Sequence, residues 1–178
     1  MQRVLVIGSS GAGKSTFAIA LGAATGLPVI HIDRLFGQAG WVRTPHEDYL
    51  AKMRTAIAGD RWIFDGVNVT TFDLRIPRAD TIVWLKRSRA LCLWRIAGRV
   101  LTTYGTVRSD MAPGCPEKFD WEFIKWVWNF PRDYDPKISA ALDRHDAWGR
   151  TTLLRSDAEA AAFLREHGQS SAGIASLA

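Results

Sequence analysis

Gly8-Ser9-Ser10-Gly11-Ala12-Gly13-Lys14-Ser15 stands directly after the apolar run Arg3-Val4-Leu5-Val6-Ile7, and this junction decides how the rest of the chain reads. A continuous leucine and β-branched run suits a strand buried on both faces. Beyond the glycines, Phe17, Ala20, Leu21 and Ala24 recur at helical spacing, and Gly26-Leu27-Pro28 ends that segment. GxxxxGKS between a strand and a helix is the P-loop pattern in the context it requires. Gly8, Gly11 and Gly13 allow backbone angles and close approaches that side chains would block. Several main-chain N–H groups, with those of Ser9, Ser10, Ala12 and Thr16 around them, can then face phosphate oxygens at the positive end of the helix. The expectation is a nucleoside triphosphate held by Gly8–Thr16, with Lys14 on its β- and γ-phosphates and the Ser15 hydroxyl on Mg²⁺. A plain glycine turn is the weaker alternative.

Working outward, Val29–Ile32 reads as a second strand ending at Asp33, and a loop through Gly37, Gly40, Trp41 and Pro45 leads to a helix over His46–Ala58. Arg61–Gly66 is a third strand, Thr70–Ile76 a short helix stopped by Pro77, and Thr81–Leu85 a fourth strand. A long basic helix over Ser88–Tyr104 precedes an irregular loop, Gly105–Pro116. Phe119, Phe123, Trp126, Val127 and Phe130 mark an aromatic helix ending at Pro131, and Pro136–His145 carries another. Thr151–Leu154 is the last strand, and Ser156-Asp157-Ala158-Glu159 is a capping box opening a final helix to about Glu166. Strands alternating with helices predict an α/β fold, a parallel sheet flanked by helices. The expected organisation is one P-loop domain over 1–167, with a helical lid inserted at about 95–133 and a frayed tail over 168–178.

The chain has 178 residues, 47% hydrophobic and 23% charged, enough for one compact domain with a real core. No apolar run reaches the length of a membrane span, and the apolar start is too short for a secretory signal, so the expected location is cytoplasmic. Cys92 and Cys115 have no metal-binding spacing. The net charge of +5 is local: residues 81–109 hold six bases and no acid, against 17 bases and 18 acids elsewhere. Such a concentration asks for a local anion, either nucleic acid or a polyphosphate.

Asp33 and Asp65 fall where strands should end on the loop side of a parallel sheet, the side on which such folds bind ligands. Either carboxylate can hold Mg²⁺ or its waters, or take the proton of an attacking hydroxyl. Arg95 and Arg99 share a face of the basic helix, and Arg108 lies in the loop beyond. Arginines delivered by a closing lid stabilise the charge of a transferring phosphoryl group; Arg87 and Arg89 read as solvated surface. Asp110 is a weaker candidate for holding a lid arginine. Of the eight tryptophans, Trp121, Trp126 and Trp128 read as core or lid packing, whereas Trp41 is a candidate to line an acceptor pocket. The four histidines form no metal spacing and receive no role.

Together these motifs resemble a bacterial family of adenylate-kinase-like P-loop proteins labelled topology-modulation proteins. The matching stretches are Gly8–Ser15, His31-Ile32-Asp33-Arg34-Leu35, Gly40-Trp41, Trp62–Asn68, Arg75, Ala79-Asp80-Thr81 and Arg108–Glu117. The resemblance implies a nucleoside-monophosphate-kinase fold, with a five-stranded parallel core, an acceptor-binding segment and an arginine lid. It puts Asp65 in the place of the aspartate near Mg²⁺. Where adenylate kinases have an arginine for the acceptor phosphate, this chain has Asn68, and its next arginine is Arg75; both enter as candidate acceptor-binding residues. The leading expectation is an ATP- and Mg²⁺-dependent kinase for a small acceptor, a nucleotide or nucleoside, bound between the Asp33–Tyr49 region and Asp65. The rival is a nucleotide-dependent, DNA-associated regulator using Lys86–Arg108, although no recognition-helix motif supports it.

Overall fold

Along Arg3–Gly8 (β1) alternate side chains point to opposite faces of the sheet. Both sets are apolar, so both faces must be covered. The computed structural model describes residues 1–38, 42–106 and 119–172, and of these the side chains other than those of 36–43 and 169–172. Leu5 and Ile7 of β1 join one core with Tyr49, Met53 and Ile57 of α3 (His46–Ile57), Phe130 of α6 (Trp121–Asp133) and Ile138 and Leu142 of α7 (Asp135–Arg144). Val4 and Val6 join the other, with Phe17, Ala18 and Leu21 of α1 (Lys14–Thr25), Cys92 and Ile96 of α5 (Arg89–Thr103) and Phe163 of α8 (Asp157–Ala172).

β1 is the middle strand of a five-stranded sheet in the order β2-β5-β1-β6-β7, with β2 at Val29–His31, β5 at Trp62–Asp65, β6 at Thr81–Leu85 and β7 at Thr151–Leu154. Every pairing is parallel. The five strands and the flanking helices match the expectation. The chain leaves β1 for the β2 side and returns across it to β6, so loops from β1, β2 and β5 gather at one end of the sheet, where such folds place ligands.

Four local readings are corrected. β2 stops at His31, and Ile32–Phe36 (α2) coils at once into a short helix, so Asp33 sits in its first turn and not at a strand end. What read as an open loop contains two short antiparallel strands, β3 (Gly37–Gln38) and β4 (Val42–Arg43). α6 does not end at Pro131. The ring removes one backbone donor, but Phe130 stays buried, Tyr134 stacks on it at 5.1 Å, and the Tyr134 N–H bonds the Phe130 carbonyl. α8 continues through Gly168 to Ala172, so the expected tail is helical over its first residues.

Trp121 and Trp128 are 59% and 50% exposed, and Trp126 alone of the three expected packing tryptophans joins the core edge. Among the described residues the fully buried indoles are Trp62 and Trp84, both on strands. Of the expected lid, α5 and α6 are described, and both bury residues: Cys92 and Ile96 on α5, Val127 and Phe130 on α6. Arg108, Asp110 and Cys115 lie outside the described residues, as does Trp41.

Candidate phosphate-binding and transfer site

The turn out of β1 is built on three left-handed glycines, with φ of 146° at Gly8, 77° at Gly11 and 91° at Gly13. At two of them the backbone of other elements takes the space a side chain would need. A Cβ on Gly8 would stand 2.5 Å from the Leu85 carbonyl oxygen, and one on Gly11 would collide with the Cys92 carbonyl. The loop is thus pressed between the end of β6 and α5. Ala12 N–H bonds the Ser9 carbonyl at 3.2 Å, and Lys14 Nζ donates to the same oxygen at 3.0 Å, folding the ammonium back across the loop.

Gly13 caps α1 without a side-chain acceptor, and the first turn of α1 holds no acidic residue. Nothing from its own sequence neutralises the positive end of that helix. Glycines with no room for side chains, an uncapped helix start and a lysine at its first position fit a polyphosphate. Ser15 and Thr16 follow in the first turn of α1, where a hydroxyl can reach a cation on those phosphates.

Arg95 reaches this loop from α5. Its Nη1 bonds the Ala12 carbonyl at 3.4 Å and stands 3.5 Å from where a Gly13 Cβ would be, while its Nη2 pairs with Asp157 Oδ2 at 2.5 Å. Arg99, half-buried, lies one turn further along α5. Arg87 corrects the surface reading. Its side chain is buried, donating to the Leu154 carbonyl at 2.8 Å and pairing with Asp157 Oδ1 at 3.2 Å. Lys86 pairs with Asp135 at 3.2 Å, and Arg89 covers the Trp128 ring at 4.7 Å. Much of the charge that stood unbalanced along the sequence is therefore balanced in space by Asp157 and Asp135.

The Arg95 bond, with Arg87 behind it, holds the Asp157 carboxyl below the ordinary aspartate range. A depressed folded-state pKa contributes stability above the unfolded value and loses it as pH falls through the folded one. Asp157 is two-thirds exposed, so the pair is screened. The expected cost of Asp157→Asn at pH 7 is about 0.2–1 kcal/mol. That difference from wild type should shrink as the medium is acidified below about pH 4. Urea unfolding of both proteins at several pH values measures it.

On the other side of β1, Asp65 ends β5 in register with Val6 of β1 and His31 of β2. Its Oδ2 accepts from His31 Nδ1 at 2.9 Å, and its Oδ1 is buried with no hydrogen-bond partner among the described residues. A buried carboxylate oxygen left without a donor fits a cation, a metal-bound water or an acceptor hydroxyl. Gly66, with φ of 135°, turns the chain immediately after it, and a Cβ there would collide with Ile32 Cγ2.

Arg75 departs from the acceptor-binding expectation. It is 0% exposed, and its guanidinium donates to Thr71 Oγ1 at 3.1 Å, Gly66 O at 2.8 Å and Asn68 O at 2.7 Å. The Phe64 and Phe72 rings lie 5.3 and 5.0 Å from its centre. Burial pulls its pKa down to about 10, partly offset by Tyr49 and Asp65, so it stays charged at neutral pH. Arg75 therefore clamps the loop after β5 from inside and offers no donor to a ligand. Asn68 caps the following 3₁₀ turn through Oδ1 and donates Nδ2 to the Tyr49 hydroxyl at 3.1 Å. Burial raises the Tyr49 pKa. Asp33, on α2, is exposed and lies on this side of the sheet.

The structure thus brings Gly8–Thr16, Lys14, Arg95, Asp65 and Asn68 to one end of the sheet and withdraws Arg75 from it. The parts played by His31, Arg87 and Asp157 were not foreseen. For His31 the alternation along β2 could have helped, since any side chain paired with Asp65 across β2 and β5 must meet it. Arg87 and Asp157 are 70 residues apart, and no local pattern joins them.

Comparisons with known proteins bear on the fold. A family model described as isopentenyl transferase matches residues 1–68, fewer than half of the chain. No curated protein matches it in sequence. The shikimate kinase of Acinetobacter baumannii, solved with shikimate, superposes with a TM-score of 0.60 at 13% identity, covering 93% of this chain and 90% of that one. A gluconokinase from Sinorhizobium meliloti 1021 superposes with a TM-score of 0.52 at 17% identity, covering 95% and 94%. At these identities the likeness establishes the architecture: the chain has the fold of P-loop kinases.

Proposed function

We propose that the chain is an ATP-dependent phosphotransferase that moves the γ-phosphoryl group to a small acceptor, a nucleotide or nucleoside. The glycine cradle carries this reading: three left-handed glycines, two of them with no room for a side chain, opening onto a helix start with lysine at its first position. Gly8–Thr16 would wrap the phosphates, Lys14 would swing from the Ser9 carbonyl to the β- and γ-oxygens, and Ser15 with Asp65 would hold Mg²⁺ or its waters. That cation would neutralise charge on the transferring group. Asp65 Oδ1 would accept a proton or orient the attacking hydroxyl. Arg95 and Arg99, with Arg108 beyond α5, would face the equatorial oxygens, the segment at 95–133 serving as a lid. The acceptor would lie among Asp33, Asp65, Asn68 and Trp41. No helix among the described residues is long and apolar enough to cross a membrane.

The kinship with adenylate kinases and with topology-modulation proteins belongs to the same proposal, and the buried Arg75 modifies it. An acceptor phosphate has to be met by something other than the arginine that follows Asp65. The experiment is a coupled assay of ADP formation over nucleosides and nucleoside monophosphates. ADP formation that rises with one acceptor supports the reading, and hydrolysis indifferent to every acceptor overturns it. The family match over residues 1–68 supports a second reading, transfer of an isopentenyl group on the same loop. Mass spectrometry of the product separates the two. Against the DNA-associated alternative, Lys86 and Arg87 have acidic partners inside the chain.

A further inference from the structure

The chain on either side of the Asp65 carboxylate is closely held. The residue after Asp65 passes Ile32 only as glycine. The Gly66 N–H is tied to the Val6 carbonyl at 3.1 Å, and the Gly66 carbonyl to Arg75 at 2.8 Å. The backbone that carries the carboxylate is therefore held on both sides. What remains soft is rotation of the carboxylate itself. Its side chain is 5% exposed, and the His31 side chain beside it 11%. Their Cα atoms are partners across parallel strands, so both side chains leave the same face and meet at 2.9 Å. Among the described residues the carboxylate has no other hydrogen-bond partner.

An ionised carboxylate only accepts, so the proton of this bond sits on His31 Nδ1. The bond occupies Oδ2 and fixes the plane in which Oδ1 lies. Oδ1 is left buried and without a donor, a state that costs about 1–3 kcal/mol unless something binds there.

Resting on the phosphotransferase reading, we propose that His31 is a positioning residue: its Nδ1–H holds Asp65 so that Oδ1, and not either oxygen at random, meets the cation or metal-bound water on the nucleotide phosphates. Reacting groups lose efficiency steeply when misplaced by fractions of an ångström. Outer partners of metal-binding carboxylates typically contribute about 10–100-fold in affinity or activity.

Mn²⁺ with ADP is the probe, followed by electron paramagnetic resonance, which needs no acceptor. ADP binding in EDTA is measured alongside. His31→Leu should weaken Mn²⁺ in the ADP complex by about 10–100-fold, leave ADP binding in EDTA unchanged, and behave as Asp65→Asn does. His31→Asn, whose amide can donate from nearly the same place, should recover most of the loss. Unaltered Mn²⁺ affinity in His31→Leu, or equal loss in His31→Leu and His31→Asn, overturns the proposal. Nitrogen NMR of the histidines in the wild-type protein tests it without a variant: a proton on His31 Nδ1 is required, and a ring protonated only at Nε2 overturns it. Failure of the wild type to bind ADP overturns the phosphotransferase reading as well, whereas ADP binding with Mn²⁺ affinity indifferent to His31 overturns the positioning role alone.

Discussion

Lys14→Ala should remove turnover while leaving the protein folded. In the present structure the Lys14 ammonium donates to the Ser9 carbonyl at 3.0 Å, inside the loop that would wrap the phosphates. It is the one side-chain cation in the loop itself, and Gly13 before it leaves the start of α1 without a side-chain cap. Charge on the transferring phosphoryl group has to be met there by the ammonium, the backbone N–H groups and the cation together. Removing a preorganised donor of this kind from a transition state costs about 10²–10³ in rate, roughly 3–4 kcal/mol. Against this, the structural loss is one partly buried hydrogen bond, worth about 1 kcal/mol, at a helix position where alanine is well tolerated. ADP formation by the purified variant, read beside its circular dichroism and melting temperature, checks both halves. A variant that still turns over would show that the loop is not the donor site.

Arg75→Ala should do the opposite, with stability as the first casualty. The guanidinium is wholly buried, and its three hydrogen bonds go to groups of its own segment: Thr71 Oγ1 and the carbonyls of Gly66 and Asn68. Alanine takes the donor from the Gly66 carbonyl, while the Asn68 carbonyl keeps those of Thr71, and it opens a cavity beneath Phe64 and Phe72. It also strips Asp65 of the positive charge that faces it. Removing one member of a buried, hydrogen-bonded charge arrangement costs about 3–5 kcal/mol. For a chain of this size that lowers the melting temperature by roughly 10 °C. Calorimetry measures it. An arginine that bound an acceptor would give a raised KM with an unchanged melting temperature, and that outcome would return Arg75 to the acceptor site.

The two cases mark where reading along the chain succeeds. Lys14 was legible because its neighbours in sequence are its neighbours in space: a strand, a glycine turn and a helix start occupy consecutive residues. The central strands were legible for a related reason: in a parallel sheet covered on both faces they must be apolar runs, as Val4–Ile7 and Ile82–Leu85 are. Pro131 misled because a local rule about helix ends was overruled by the buried side chain of Phe130 and the Tyr134 ring stacked on it. Trp121 and Trp128 misled because an aromatic residue says little about which side of a helix will be covered.

By itself, the sequence determined the alternation of strands and helices, the phosphate loop and the strand-end acid at Asp65. Each of these rests on local backbone chemistry or on hydrophobic patterning within a single element. Only the tertiary structure decided which charges remain for a ligand. Arg87 and Arg95 meet Asp157 across more than 60 residues, Arg75 turns inward, and His31 closes on Asp65 because β2 and β5 lie side by side. The reason is that a charge's role depends on its partners and its burial, and for these residues both are set by strand order and helix packing.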